Sequence, residues 1–200
     1  MINISVDPAV LAAALVAAGY TVTAPVVVVT PPPPPAYVAP KLLEVICQNG
    51  QTPLEPQDYS YAATDAHADV IDGGHGNAAC VKVTLTAPWG GFQPSANPAG
   101  PYLNFSTSSR IVCSVSAPKG TQFSMSFLTA GDTPIKTATD TLFTKATDGY
   151  EEFLFSKAAL MTDITGVDHS PSILKGSIQA KVAVLPPGGF SFLVDNWGGM

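Results

Sequence analysis

Two stretches of this sequence alternate apolar and polar residues with a period of two, a pattern that suits a β-strand with one buried face. In residues 122–127 the apolar side chains are Phe123, Met125 and Phe127, and a glutamine and two serines alternate with them. Residues 177–184 repeat the pattern with isoleucine, alanine and valine at alternate positions. Because successive side chains of a strand point to opposite faces of a sheet, each stretch predicts a strand that covers a hydrophobic core on one side.

Short strand-like runs recur through residues 41–200, where glycine, proline, asparagine and aspartate separate them. The predicted strands are residues 42–46, 80–86, 102–105, 110–116, 122–128, 141–145, 150–155, 177–185 and 190–194. One helical turn is expected at residues 157–161. Many short strands with turn residues between them predict an all-β fold, an antiparallel sandwich of two sheets. The predicted core residues are Phe123, Met125, Phe127, Ile178, Val182, Phe190 and Phe192.

The composition excludes several classes of partner. Apolar residues make up 46% of the chain and charged residues 12%, which suffices for a core and leaves a largely neutral surface. The net charge is −6 and there are only nine lysines and arginines. The basic patch that binds nucleic acid or an acidic membrane surface is therefore not expected.

No arrangement of reactive side chains in the sequence points to catalysis. Glu151 and Glu152 are neighbours on a predicted strand and so face opposite sides, which prevents them from flanking one glycosidic bond. The three cysteines have no paired spacing that suggests zinc. Cys113 alternates with Ile111 and Val115, as a small buried residue would. We therefore predict a binding protein and not an enzyme.

Residues 1–30 form an apolar segment in which Asp7 is the only charged side chain. Asp7 suits the N-cap of a helix, Pro8 its first position and Gly19 the position after its end, so a short helix is expected over residues 8–18. A helix that is apolar all round needs to be buried, and so short a segment cannot bury it alone. The side chains expected to dock on another chain are Val10, Leu11, Leu15 and Val16.

Five consecutive prolines at residues 31–35 follow this segment. They favour a stiff polyproline II helix, which acts as a spacer between two modules. The predicted organisation is an anchor or oligomerisation segment at residues 1–30, a proline-rich linker at residues 31–40 and a binding domain at residues 41–200. The first nine residues contain no Lys or Arg, and the apolar run is too short to span a bilayer, so neither an export signal nor a membrane span is expected.

Four features occur in a fixed order in the last two thirds of the chain. They are Gly-Asn-Ala-Ala-Cys-Val-Lys-Val at residues 76–83 with Trp-Gly-Gly at 89–91, an alternating strand pair around Ala-Pro-Lys-Gly at 117–120, Tyr-Glu-Glu-Phe at 150–153 leading to Ala-Ala-Leu at 158–160, and Gly-Phe-Ser-Phe-Leu-Val-Asp-Asn at 189–196. Their order resembles the galactose-binding-like jelly rolls of carbohydrate-binding modules, over residues 70–197. The resemblance implies a jelly-roll sandwich and a structural calcium ion, with Asp195 of the closing strand and Glu44 of the first strand as ligands.

Three aromatic residues are candidates for contact with a glycan. Trp89 precedes two glycines, and an exposed Trp in such a loop offers a flat surface on which a sugar ring can stack. The alternative is a loop aromatic that closes the end of the sandwich. Phe92 follows in the same loop, and Tyr150 begins the strand that is aromatic and exposed in the modules this chain resembles. Trp197 is instead expected to pack or to form an assembly contact.

The layout of anchor, rigid spacer and outward β-domain also resembles the capsid decoration proteins and head fibres of tailed bacteriophages. This resemblance implies a virion structural protein, assembled in the host cytoplasm and displayed on the virion surface. It would bind the capsid or another virion protein through residues 1–30 and form a homo-oligomer. The alternative is a glycan-binding module or tail-fibre adhesin that recognises a host surface polysaccharide.

Overall fold

The computed structural model describes residues 17–19, 36–50, 66–94, 96, 101–138 and 141–200. The chain divides into two units, Met1–Pro35 and Ala36–Met200. In the first unit, Gly19 has a φ of +84°, in the left-handed region that suits the residue after a helix. The predicted anchoring side chains, Val10, Leu11, Leu15 and Val16, lie outside the described residues.

Within the described residues, short strands make up nearly all of the regular secondary structure of the second unit. They are β1 (Glu44–Cys47), β2 (Ala66–Asp72), β3 (Ala79–Leu85), β4 (Gly91–Phe92), β5 (Arg110–Ser116), β6 (Gln122–Thr129), β7 (Leu142–Thr144), β8 (Tyr150–Ser156), β9 (Ile173–Ala180) and β10 (Phe190–Gly199). One short helix, α1 (Lys157–Met161), lies between β8 and β9 where a helical turn was predicted. Within the described ranges, no helix is long and apolar enough to cross a bilayer.

The strands form two sheets with the core between them. The larger sheet has the order β2-β3-β10-β5-β8, with β1 also pairing with β10, and the smaller sheet has the order β4-β9-β6-β7. Neighbouring strands in both sheets are antiparallel. Strands that are distant in sequence pair at the centre of the larger sheet, where β10 lies between β3 and β5. The predicted all-β, antiparallel jelly-roll sandwich is therefore confirmed.

The register of β5 and β8 shows how alternation distributes side chains between the two faces of the larger sheet. Cys113 lies opposite Phe153, and both pack on the core. Ser114 lies opposite Glu152 on the outer face of the sheet. Glu151, one position from Glu152, consequently has its side chain on the other face.

Aromatic side chains from both sheets meet in the core. The ring of Phe123 on β6 lies 5.1 Å from that of Phe192 on β10, and the ring of Phe127 lies 6.3 Å from that of Trp197. All four side chains are buried, which confirms packing as the role of Trp197. A Cβ on Gly176 would lie 2.8 Å from Cζ2 of Trp197, so β9 passes beneath the indole only because it carries glycine there.

The ends of β9 and β10 differ most from the prediction. β9 begins and ends earlier than the predicted run at residues 177–185, and Val182, which lies beyond its end, is only partly buried. Phe190, at the start of β10, is also only partly buried. β10 continues to Gly199, beyond the predicted end at residue 194. Its last glycines permit this, because a Cβ on Gly198 would overlap the backbone carbonyl oxygen on β1.

Candidate functional site

The smaller sheet presents a polar surface on its outer side. Ser124 of β6 lies opposite Gln179 of β9 and opposite Leu142 of β7. Because side chains alternate along a strand, the register then identifies the remaining outward residues. We call this surface the polar face, and its side chains are Gln122, Ser124, Ser126, Leu128, Leu142, Thr144, Lys175, Ser177 and Gln179, with Lys181 just beyond the end of β9. Leu128 and Ser177 of this set are buried. Hydroxyl and amide groups, which both donate and accept hydrogen bonds, dominate it.

Trp89 lies beside the polar face, in the loop between β3 and β4. Its φ is +63°, in the left-handed region that a bulky residue rarely adopts. Two hydrogen bonds hold this conformation: the Trp89 N–H donates to the carbonyl oxygen of Val182 at 3.0 Å, and Nε2 of Gln179 donates to the Trp89 carbonyl oxygen at 2.7 Å. The side chain remains 46% exposed. Strained residues held by their surroundings are typical of functional loops, and Trp89 is a fixed and accessible aromatic surface.

The two glycines after Trp89 attach its loop to the smaller sheet. The Ala180 N–H donates to the carbonyl oxygen of Gly90 at 3.0 Å. Gly91 begins β4, which pairs with β9, and a Cβ at this position would overlap the carbonyl oxygen of Ile178. Only glycine allows this close approach. The Trp-Gly-Gly motif therefore positions the indole beside the end of β9.

Lys181 completes the surroundings of the Trp89 ring. Its Nζ lies 5.8 Å from the ring centroid and donates to Oε1 of Gln179 at 2.7 Å. The Gln179 amide thus connects the Trp89 backbone to the Lys181 ammonium. We call Trp89, Gln179 and Lys181 the Trp89 cluster. Alternation in the sequence indicated the outward side of β9, but it carried no signal that Gln179 meets a loop 90 residues earlier.

The other two aromatic residues predicted to bind a ligand lie elsewhere. Phe92 of β4 is 0% exposed, and its ring centroid lies 6.2 Å from that of Trp197 in the core. A ring without exposed surface cannot stack on a sugar, so we correct the prediction by leaving Phe92 out of the candidate site. Tyr150 belongs to β8 of the larger sheet, whereas Trp89 is bonded to the smaller sheet, so the structure does not bring them together.

Tyr150 is part of a stack of rings on the outer side of the larger sheet. The His75 ring is nearly parallel to those of Tyr37 and Tyr150, with centroids at 3.5 Å and 4.9 Å. The Tyr37 hydroxyl donates to Oε2 of Glu152, and Nδ1 of His75 lies 2.9 Å from Oγ of Ser114. Burial lowers the pKa of His75 and raises the pKa of Tyr37 to about 12, so both rings are uncharged near neutral pH. The rings cover one another, and the stack fastens Tyr37, from the segment predicted as linker, to the β-domain.

Asp195, one of the two predicted calcium ligands, is fully buried next to this stack. Its Oδ1 accepts hydrogen bonds from the backbone N–H groups of Asn49 and Asn196, each at 2.9 Å. Its Oδ2 accepts from the His75 N–H at 2.9 Å and from Nδ2 of Asn77 at 2.8 Å. Four N–H groups therefore solvate the buried carboxylate, and three of them connect the β1–β2 and β2–β3 loops to β10.

Glu44, the other predicted calcium ligand, lies apart from Asp195. It faces Gly199, four positions further along β10, and its carboxylate accepts from the Asn104 N–H at 3.2 Å. Burial raises the pKa of Glu44. Among the described residues, no group of three or more His, Cys, Asp or Glu side chains could hold a metal ion. The donors around Asp195 are N–H groups and do not form a calcium cage, so calcium binding stays a prediction.

Two further features of the molecule do not contribute to a site. A groove of about 380 Å³ opens beside the loop that follows α1. Asp163 and His169 line this groove, but their side chains bond within the loop: Asp163 lies 2.9 Å from Nε2 of His169 and accepts from the Thr165 hydroxyl at 2.6 Å. The three cysteines are free and buried, and burial raises the pKa of each thiol, which leaves them protonated and unreactive.

No protein-family model matches the sequence, and no curated protein matches it. The family 11 carbohydrate-binding module of a cellulosomal cellulase of Clostridium thermocellum is 14% identical, with a TM-score of 0.51 over 82% of this chain and 96% of that chain. An exo-β-agarase structure has a TM-score of 0.51 at 11% identity, over 78% of this chain and 25% of that chain. The enzymatically active domain of tailspike protein 4 of bacteriophage CBA120 is 7% identical, with a TM-score of only 0.39 over 70% of this chain and 19% of that chain. At these identities the similarity shows the fold alone: the chain has the jelly-roll sandwich of carbohydrate-binding modules.

Proposed function

We propose that this chain is a non-enzymatic glycan-binding module that recognises its ligand on the polar face, with Trp89 as the platform for a sugar ring. The observation that carries the proposal is the Trp89 ring, held exposed in a strained loop by hydrogen bonds to the end of β9. An aromatic ring presents a negative face to which the C–H groups of a sugar are attracted. Its fixed position reduces the ordering cost of binding.

The remainder of the polar face suits the hydroxyl groups of a sugar. Gln122 and Ser126 are exposed on β6, and Thr144 is exposed on the neighbouring strand β7. Amides and hydroxyls exchange donor and acceptor roles freely, which a ligand rich in hydroxyl groups requires. A platform with a few convergent polar groups is the usual composition of a small-ligand site.

Binding is favoured over hydrolysis by the sequence of the strands themselves. Glycoside hydrolysis usually requires two carboxyl groups that flank the scissile bond. The strands β4, β9, β6 and β7 contain no Asp or Glu. The fold of carbohydrate-binding modules agrees with a binding role and does not by itself assign one.

The test is the binding of the full chain to a glycan array and to soluble polysaccharides in affinity gels. Trp89→Ala is expected to weaken binding at least about tenfold, which corresponds to about 1.4 kcal/mol, and to leave the melting temperature nearly unchanged. Trp89→Phe should retain part of the affinity because it keeps an aromatic face. Leu154→Ala is the matched control, since Leu154 is 48% exposed but lies on the larger sheet.

Two results would contradict this proposal. If Trp89→Ala binds glycans as well as the wild type does, Trp89 is not the platform for the sugar. If the wild-type chain binds no glycan, the proposed function is wrong. A marked loss of stability in Trp89→Ala with intact binding would instead support the alternative role of Trp89 as a loop aromatic that closes the sandwich.

The virion role inferred from the layout stays a prediction. The side chains that would bind a capsid or another copy of the chain, Val10, Leu11, Leu15 and Val16, lie outside the described residues. A glycan-binding domain on a proline-rich spacer is compatible with a decoration protein, a head fibre or a tail-fibre adhesin. Glycan binding on the polar face is possible in each of these assemblies.

A further inference from the structure

Charged residues are divided unequally between the two sheets. The strands of the smaller sheet contain one charged residue, Lys175, and no carboxylate. The strands of the larger sheet contain only two cationic residues, Lys82 and Arg110. Their carboxylates are Glu44, Asp69, Asp72, Glu151, Glu152 and Asp195. A chain with a net charge of −6 therefore has a polar face whose strands are free of negative charge.

Among the described residues, Lys181 is the cation of this face that no carboxylate neutralises. Lys175 forms an ion pair with Asp132 at 3.1 Å. Lys181 forms no ion pair with any described residue, and its described hydrogen-bond acceptor is the neutral amide of Gln179. An ammonium group attracts an anion more strongly than it does an aromatic face or an amide oxygen. Lys181 is therefore placed to exchange these neutral contacts for an anionic group of a ligand.

The distance between Lys181 and Trp89 fits a single sugar residue. The ammonium lies over the Trp89 ring, 5.8 Å from its centroid, and a sugar that stacks on this face would displace it to the edge of the ring. A pyranose ring stacked on the indole carries its substituents at its edge, within reach of a flexible lysine side chain. The repulsion between the net charge of −6 and an anionic polymer acts at long range and is screened beyond about 8 Å at physiological ionic strength. The short contact with Lys181 then determines selectivity.

We propose that the ligand is an acidic glycan, in which a sugar ring stacks on Trp89 while its carboxylate or sulfate group binds the ammonium of Lys181. This inference rests on the glycan-binding function proposed above and adds the chemical class of the ligand. Gln179 has a positioning role, since its amide bonds both the Trp89 carbonyl oxygen and the Lys181 ammonium. The prediction differs from recognition of a neutral glucan, which offers no negatively charged group to the Lys181 ammonium.

The experiment uses the full chain on an array that pairs each uronate-containing glycan with its carboxyl-reduced form and each sulfated glycan with its desulfated form. Neutral glucans are included. We expect acidic members to bind and their neutralised partners to bind about ten- to a hundredfold more weakly, the range for loss of a hydrogen bond to a charged group. The carboxylate and sulfate pairs distinguish the two sources of negative charge.

Variants then assign the selectivity to Lys181. Lys181→Met retains the apolar stem beside the indole and should lose the preference for acidic members, whereas Lys181→Arg should keep it. Lys119→Met is the matched control, because Lys119 is an exposed lysine in the turn between β5 and β6 and should change nothing. The proposal of an acidic ligand is wrong if charged glycans and their neutralised partners bind equally, or if Lys181→Met behaves as Lys119→Met does. Either result would leave the glycan-binding function itself standing. Failure of every glycan to bind would overturn both proposals.

Discussion

Replacing Asp195 by asparagine exchanges one carboxylate oxygen for an amide nitrogen and leaves the shape of the side chain almost unchanged. In the native protein each oxygen of Asp195 accepts two hydrogen bonds from N–H groups. The amide of the substituted side chain has one acceptor oxygen, so in either orientation its NH₂ group faces two donors. The substitution therefore leaves two N–H groups without an acceptor at a position that is 0% exposed.

The cost follows from these two lost contacts. A hydrogen bond to a charged group contributes about 1.5–3 kcal/mol, so the loss of two predicts a decrease of about 3–6 kcal/mol in the free energy of unfolding. Native domains are stable by only about 5–15 kcal/mol, so this is a large fraction of the total. With a urea m-value of about 2 kcal/mol/M, the unfolding midpoint should fall by roughly 2 M.

The assay is equilibrium urea unfolding followed by tryptophan fluorescence, since Trp197 is buried in the core. Asp72→Asn is the control, because Asp72 lies exposed at the end of β2 in the same sheet. It should change the free energy of unfolding by less than about 0.5 kcal/mol. If Asp195→Asn is no more destabilising than this control, the four N–H groups do not depend on the carboxylate and our account of the network is wrong.

Two further predictions follow from other parts of the fold. Gly176→Ala should lower the free energy of unfolding by about 1–3 kcal/mol in the same urea assay, because the added methyl would press on Trp197 from 2.8 Å; an unchanged midpoint would show that the indole moves aside freely. The Thr165 hydroxyl, together with the His169 ring and the Val167 N–H, holds the pKa of the Asp163 carboxyl far below its ordinary value of 3.8. Because the folded-state pKa of Asp163 is depressed, its stabilisation of the fold is present above pH 3.8 and is lost as the pH falls below that value. The difference in urea midpoint between the wild type and Asp163→Asn should therefore decrease as the pH is lowered through that range. A difference that does not depend on pH would refute the assignment.

Alternation predicted the central strands because both sheets bury one face. β5 spans Arg110–Ser116, the predicted range, and β6 differs by one residue at its end. β2 was not predicted, since its sequence Ala-His-Ala-Asp-Val-Ile-Asp has no regular apolar period. It lies at the edge of the larger sheet, where pairing with β3 along its whole length determines its conformation. At an edge strand, tertiary pairing overrides local propensity.

The candidate site could be predicted only in part. A tryptophan before two glycines identified Trp89, and alternation identified the outward side of β9. Their meeting depends on sheet topology, since β9 pairs with β4, and no local pattern contains that information. Tyr37 shows the same limit: the prolines before it suggested a linker up to residue 40, yet its ring stacks on His75, 38 positions later.

The three buried thiols allow transient opening of the domain to be measured by chemical labelling. Cys47, Cys80 and Cys113 lie on β1, β3 and β5, so all belong to the larger sheet. A thiol reagent can reach them only when the residues packed over that sheet move away, so the rate of labelling in native buffer measures how often the sheet is exposed. The four strands of the smaller sheet carry no cysteine, so fluctuations confined to the polar face would not change the labelling rate. Labelling of the native cysteines would thus distinguish motion of the larger sheet from motion of the polar face without an engineered label.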